Sequence, residues 1–256
     1  MAHLMHYIGP GRAHEVDEQE LERLYQYPAD RPWLAVNFVA SADGAVEIDG
    51  RSAGLSNPAD RRVYRLGSDL ADVVLLGAGT ATIEEFRGVH PDEQAAQRRR
   101  RYGLSEIPPI AVVTSGRTLP ADAPVITEAR TPTIVITCAT APSTLCEAWT
   151  AAGATVLVAG EDTVDVTAAV DALVMRGLTR IDCEGGPRLF DSLIEAGLVD
   201  ELRLTISPLL ISGMADRIAC GPVVIPTALE LASVLAEGDT LLLRYLVKRC
   251  AEGLPL

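Results

Sequence analysis

The sequence predicts an α/β protein, a mostly parallel sheet with helices on both faces. Six short runs read as strands, and the first, residues 33–41, is apolar almost throughout, as a strand buried on both faces should be. These runs alternate with segments of helical spacing that open at Asn or Pro and stop at Gly. Two strand–glycine–helix corners recur, at Gly77-Ala78-Gly79-Thr80 and at Glu184-Gly185-Gly186-Pro187.

Residues 15–25 are acidic and amphipathic, with Leu21 and Leu24 on one side. They read as a short helix in a peripheral arm over residues 1–32. Residues 33–41 (WLAVNFVAS) form the first strand and open a single domain over 33–256. Asn37 inside that strand is either satisfied in the core or faces a site. A polar loop, Ser41-Ala42-Asp43-Gly44, follows. Asn57 caps the next helix with Pro58 in its first turn, and Val63, Leu66 and Leu70 keep helical spacing. Asp60 lies one turn in, where the helix dipole favours a carboxylate.

Residues 73–76 are the second strand and run into the first glycine corner, with a helix over 81–85. Thr80 serves there as N-cap or as a hydroxyl for a phosphate. This GxG lacks a third glycine and does not open a βαβ unit, which sets aside the Rossmann dinucleotide fold. A helix over 92–102 carries Arg98–Arg101 and reads as a solvated surface. Residues 110–114, 133–138, 154–159 and 180–184 are the third to sixth strands. Ser115 and Arg117 after the third suit a phosphate monoester. Pro142 opens a helix to Ala152, and Gly177 ends another over 166–176.

The second corner removes two Cβ atoms, so backbone can approach a ligand closely. The free N–H groups of the helix behind it suit an anion. That helix starts with Pro187 and stops at Gly197. The rhythm then changes. Residues 201–207 alternate, an irregular stretch runs to Leu231, and a final strand covers 240–248. Strand–loop–strand without a helix adds antiparallel strands at one sheet edge.

A formal net charge of −13 argues against a nucleic-acid partner. No run approaches a membrane span and the N-terminus lacks a basic-then-apolar leader, so a soluble cytoplasmic protein without a membrane partner is expected. The 5 cysteines are scattered with no CxxC, and three of the 4 histidines fall at His3, His6 and His14. Neither a metal site, a disulfide framework nor a His-based triad is expected.

Five stretches stand in a telling order: NFVASADG (37–44), ADVVLLGAGT (71–80), VVTSGR (112–117), CEGGP (183–187) and LVDELRLTISP (198–208). Together they resemble the reductase domain of the bifunctional riboflavin-biosynthesis deaminase-reductase. The resemblance spans nearly all of residues 33–248. It implies a dihydrofolate-reductase-like three-layer sandwich, NADPH as cofactor, and a homodimer. The implied reaction reduces 5-amino-6-(5-phosphoribosylamino)uracil to its ribityl product, the cofactor carrying the chemistry and the protein orienting it.

Carried over by residue, the resemblance sets Gly77, Gly79 and Thr80 at the cofactor phosphates. Thr114, Ser115 and Arg117 fall at the adenosine 2′-phosphate. Glu184, Gly185, Gly186, Arg188 and Leu189 follow the pyrophosphate and nicotinamide ribose. Asn37, Ala40, Ser41 and Asp43 line the nicotinamide and substrate side. Asp60 and Asp43 are the candidate acids, Asp60 also a substrate ligand.

There are two departures. The zinc-binding HxE and PCxxC of the deaminase half do not occur in this sequence, so a free-standing reductase is expected. Ser68 stands where these enzymes usually carry an arginine for the ribose phosphate, and Asp60 falls where dihydrofolate reductases hold the pterin ring. A pterin substrate is the alternative within the fold. An NADPH-binding module without turnover is the alternative from another class.

Overall fold

The computed structural model describes residues 4–9, 13–223 and 226–249. The chain opens with strands Met5–Tyr7 (β1) and His14–Glu15 (β2) and helix Glu18–Tyr25 (α1). Strand Trp33–Ser41 (β3) leads to helix Pro58–Leu70 (α2), then strand Val73–Gly77 (β4) and helices Ala78–Ile83 (α3) and Glu93–Arg101 (α4). Strand Ile110–Val113 (β5), helix Pro124–Thr127 (α5), strand Ile134–Thr137 (β6), helix Ser143–Ala151 (α6) and strand Thr155–Val158 (β7) follow. Helix Val166–Val174 (α7), strand Arg180–Cys183 (β8) and helix Pro187–Glu195 (α8) complete the alternation. Strands Glu201–Ser207 (β9), Leu229–Glu237 (β10) and Thr240–Val247 (β11) close it.

All described strands join one sheet in the order β2-β1-β10-β11-β9-β3-β8-β4-β5-β6-β7. Neighbours from β9 through to β7 are parallel, and the remaining pairs are antiparallel. The expected antiparallel addition at one edge is therefore present. β8 inserts between β3 and β4, although the sequence makes it their distant successor. The carboxyl ends of β3, β8 and β4 thus lie side by side at the switch in strand order, where open α/β sheets bind ligands.

Alternate residues of each strand serve opposite layers. Leu34, Val36, Val73, Leu75, Ile181 and Cys183 pack with Leu173 of α7 and Leu189, Phe190 and Leu193 of α8. On the other face, Trp33 and Ala35 pack with Leu21 and Tyr25 of α1 and Val63, Leu66 and Leu70 of α2. Further along that face, Val74, Leu76, Ile110 and Val112 pack with Ala78 and Ala81 of α3 and Trp149 of α6. These are three layers around a continuous sheet. No described helix is long and apolar enough to cross a membrane.

Four expectations need correction. The N-terminal segment is no peripheral arm: β1 pairs with β10, and Met5, Leu21 and Tyr25 are core residues. The stretch to Leu231 is not irregular throughout, because β10 starts at Leu229 and pairs with both β1 and β11. Pairing on two sides overrides the modest strand preference of its Ala and Glu residues. α3 starts at Ala78 with Gly77 as N-cap, so Thr80 lies inside the helix rather than at its cap.

The fourth concerns the arginine run. Arg98 and Arg99 are buried. Arg98 bonds Glu22 of α1 through Nε (2.8 Å) and Asp69 of α2 through Nη1 (2.5 Å). Arg99 donates to the carbonyls of Ser68, Asp69 and Ala71 at the end of α2. A planar guanidinium with several donors satisfies helix-end carbonyls and complements their partial negative charge. Among the cysteines, Cys138, Cys146, Cys183 and Cys220 are free; Cys250 lies outside the described residues.

Candidate active site

The two glycine corners touch. Gly77 N–H donates to the Gly185 carbonyl at 2.9 Å. A Cβ on Gly186 would stand 2.5 Å from Thr80 Oγ1, and one on Gly185 would stand 2.9 Å from the Phe38 ring. Gly185 also has φ +81°, a conformation that favours glycine, and the Gly185–Gly186 peptide is cis. Neither α3 nor α8 has a side-chain N-cap, so their first N–H groups are left for another partner. A Cβ on Gly79 would meet no atom within 4 Å. Arg188, Ser115 and Arg117 are exposed at the same carboxyl edge of the sheet.

Not every expected cofactor residue reaches that edge. Leu189 is buried with Phe190 in the α7–α8 layer, which makes it core. The Thr114 side chain is buried and accepts from Gly116 N–H at 3.1 Å, so it shapes the turn that carries Ser115 and Arg117. Ala40 is buried within β3.

The second half of the site is acidic. Strand alternation puts Asn37 of β3, Asp182 of β8 and the residue two further on, Glu184, on the face covered by α2. The ladder that pairs Val36 with Cys183 runs out with Asn37 and Glu184 at its end. Asp60 is buried on the first turn of α2, its carboxylate accepting from Ser56 Oγ at 2.5 Å. Tyr64 follows one turn later on the same face. Its phenol is pushed up by burial and by Glu184.

The Glu184 and Asp182 carboxyls lie close enough for each to shift the other. No N–H or O–H group of the described residues reaches Asp182 Oδ2 or Glu184 Oε1, and both atoms are shut off from solvent. A proton on one of the two carboxyls would give both oxygens a partner. Burial, and next the Asp182 charge, hold the Glu184 carboxyl well above its ordinary value. Burial also raises Asp182, against the pull of Arg203.

Asp43 has a different task from the one expected of an acid. Its carboxylate takes the Ser41 hydroxyl at 2.5 Å and the Ser212 and Ile211 N–H groups at 2.7 and 3.1 Å. Those bonds hold it down to about 2, so it stays ionised and fastens the 209–212 turn to the end of β3. Ser68 points away from the cleft, its hydroxyl on the Arg65 carbonyl at 3.0 Å. Asp182, Tyr64 and the pairing partner Gly67 are what sequence reasoning missed. The available signals were spacing of two from Glu184 on a strand and of four from Asp60 on a helix.

Abutting glycine corners beneath two uncapped helix ends fit an anionic dinucleotide. Beside them, Asn37, Asp60, Tyr64, Asp182 and Glu184 gather at the face covered by α2. Those features define the class, an oxidoreductase that uses a nicotinamide cofactor. A family model described as the RibD C-terminal domain matches residues 32–243, and the chain belongs to that family.

Among its relatives is the 2,5-diamino-6-ribosylamino-4(3H)-pyrimidinone 5′-phosphate reductase of Archaeoglobus fulgidus. The two are 31% identical over 193 residues, which are 74% of this chain and 86% of the relative. The enzyme of the same name from Methanothermobacter thermautotrophicus is 27% identical over 85% of this chain and 99% of its own. A solved pyrimidine reductase-like protein from Corynebacterium diphtheriae shares the fold with a TM-score of 0.75 and 24% identity. That match covers 86% of this chain and 93% of the other.

Proposed function

We propose that this chain reduces the ribosylamino group of a 2-amino-4-oxopyrimidine 5′-phosphate, as its relatives' names describe, with NADPH as reductant. The observation that carries this reading is Glu184, its Oε1 shut off from solvent, on the same face as buried Asp182 and Asp60 at the switch in strand order. The cofactor, when bound, would supply a hydride to C1 of the ring-opened sugar imine, whose C=N π bond breaks toward nitrogen as the C–H bond forms. The product also gains one proton, and the chain must hold it. Glu184 does so, because burial keeps its carboxyl protonated where an exposed glutamate would be ionised. That moves Glu184 from the pyrophosphate role the resemblance implied to the proton-donor role.

Asp60 takes the ring. A 2-amino-4-oxo edge offers two parallel N–H donors, which match a carboxylate held by Ser56. A uracil edge turns a carbonyl toward the same carboxylate and leaves it unpaired. The unpaired contact costs about 1–3 kcal/mol, roughly tenfold to a hundredfold in affinity. The uracil expected from the resemblance shares the reacting ribosylamino group and is the weaker substrate on this argument. Asn37, whose side chain finds no hydrogen-bond partner among the described residues, serves the same ring.

On the cofactor side, Gly77, Gly79, Thr80, Gly185, Gly186 and Arg188 hold the phosphates, and Ser115 and Arg117 select NADPH over NADH. A homodimer and a cytoplasmic location belong to the same reading. In support of the dimer, Leu229, Leu231 and Leu241 stand 39%, 53% and 39% exposed. The pairings Leu229–Val247, Leu231–Tyr245 and Ala236–Leu241 put them on the β10–β11 face away from α1 and α2. A second copy would cover that strip.

Asp60 favours one second reading. Dihydrofolate carries the same 2-amino-4-oxo edge, so a pterin would satisfy the same carboxylate. Oxidation of NADPH with each of the three candidate substrates tests the proposal. Turnover of the pyrimidines supports it, turnover of dihydrofolate alone supports the second reading, and no oxidation with any leaves a binding module.

A further inference from the structure

The Glu184 carboxyl is only half of a pair, and its partner is set in place from three sides. Asp182 is fully buried. From the segment after α1, Tyr27 Oη donates to Asp182 Oδ1 at 3.4 Å. From β9, Arg203 Nη1 lies 3.7 Å from the same oxygen. Arg203 is itself fixed by Glu201 at 2.8 Å and by the Tyr25 carbonyl at 3.1 Å, and Glu201 also takes Arg244 at 2.7 Å. From α2, Gly67 leaves the room Asp182 Oδ2 occupies, since a Cβ there would stand 2.7 Å from it. The oxygen so cleared accepts from no N–H or O–H group of the described residues, and the Glu184 carboxyl is a neighbour that acts on Asp182.

We propose that Asp182 is a positioning residue for the reduction: its carboxylate accepts the Glu184 carboxyl proton and holds that acid, protonated, at the cleft. The proposal rests on Glu184 being the proton donor. When the proton leaves for the substrate, Glu184 becomes a carboxylate facing Asp182, and two adjacent buried carboxylates repel. Reprotonation from solvent then restores the donor. The groups that act on Glu184 are Asp182 on β8, Asp60 and Tyr64 on α2, and Arg203 on β9, while Tyr27 and Glu201 act on Asp182. Arg203 and Arg244 are offset by Glu201 and Asp182. Among the described residues, Arg203 is the one cation that acts on Glu184, and it is already paired with Glu201 and Asp182.

The test is the pH profile of kcat/KM, together with a carbon-13 NMR titration of the Glu184 carboxyl in the chain without cofactor. Asp182→Asn removes the facing charge and keeps the shape. The alkaline limb and the NMR titration should both move to lower pH by about one unit or more. Tyr27→Phe leaves the charge but removes a donor that steadies it, so both should move the opposite way. A structural role alone would change stability and leave both midpoints in place. Unmoved midpoints in Asp182→Asn would overturn the proposal, as would an unmoved Tyr27→Phe should the first variant not fold. Glu184→Gln separates the two layers. Wild-type turnover in that variant removes the proton-donor reading and the proposal together. An inactive Glu184→Gln beside an unshifted Asp182→Asn removes the proposal alone.

Discussion

Gly67 on α2 and Asp182 on β8 face one another so closely that a Cβ on the glycine would stand 2.7 Å from the carboxylate. A mid-helix glycine ordinarily costs about 1 kcal/mol against alanine, so its presence calls for a local reason. The reason is room for a buried acid. Gly67→Ala should gain the helix preference and lose more to overpacking, about 1–3 kcal/mol. Urea denaturation should give a lower midpoint at unchanged slope. A variant as stable as the wild type or more so would mean that Asp182 relaxes away freely.

The corner glycines should separate folding from cofactor binding. A methyl on Gly186 meets only the end of the Thr80 side chain, which can turn aside. It then stands where the two corners would meet the cofactor phosphates. Gly186→Ala should melt within a few degrees of wild type while its NADPH dissociation constant rises about tenfold or more, a loss of about 1.4 kcal/mol. Fluorescence titration reads this directly, and an unchanged constant would reduce the corner to a turn.

Cofactor choice should reside in the turn after β5. A charged hydrogen bond to the 2′-phosphate contributes about 1.5–3 kcal/mol. Arg117→Ala should therefore cut NADPH affinity by roughly tenfold to a hundredfold and leave NADH affinity in place. Equal losses for both cofactors would place the 2′-phosphate elsewhere.

Stability should carry the signature of the Glu184 proton. The folded chain keeps that proton above the ordinary carboxyl value, and the unfolded chain releases it at the ordinary value. Between the two, the folded state binds more protons, so stability falls as pH rises, by up to about 1.4 kcal/mol per pH unit. Glu184→Gln abolishes that interval. Its stability should gain on wild type as pH rises from about 4.5, measured by chemical denaturation across pH. Parallel curves for the two proteins would contradict a retained proton.

Much of the frame was legible because a strand buried on both faces leaves a plain mark. β3, β4, β5 and β8 each begin where the apolar run begins, and Asn57 and Gly197 bound their helices as read. What escaped depends on partners distant in sequence. β10 is a strand through β1 and β11, and β1 comes from the segment read as an arm. Arg98 and Arg99 look like surface charges until Glu22 and the end of α2 are brought to them. In the site, the glycine corners announced themselves, whereas Asp182 did not. An acid in the middle of a four-residue strand has meaning only once Gly67, Tyr27 and Arg203 surround it.

The central claim is that Asp60 selects a 2-amino-4-oxopyrimidine and Glu184 protonates the reduced product. Its most direct measurement is steady-state NADPH oxidation with 2,5-diamino-6-ribosylamino-4(3H)-pyrimidinone 5′-phosphate and with its uracil counterpart, for wild type and Asp60→Asn. Wild type should favour the diamino substrate in kcat/KM by about tenfold or more, and Asp60→Asn should lose most of that preference with NADPH affinity intact. Equal use of the two substrates by wild type, or a preference that survives Asp60→Asn, would contradict the account.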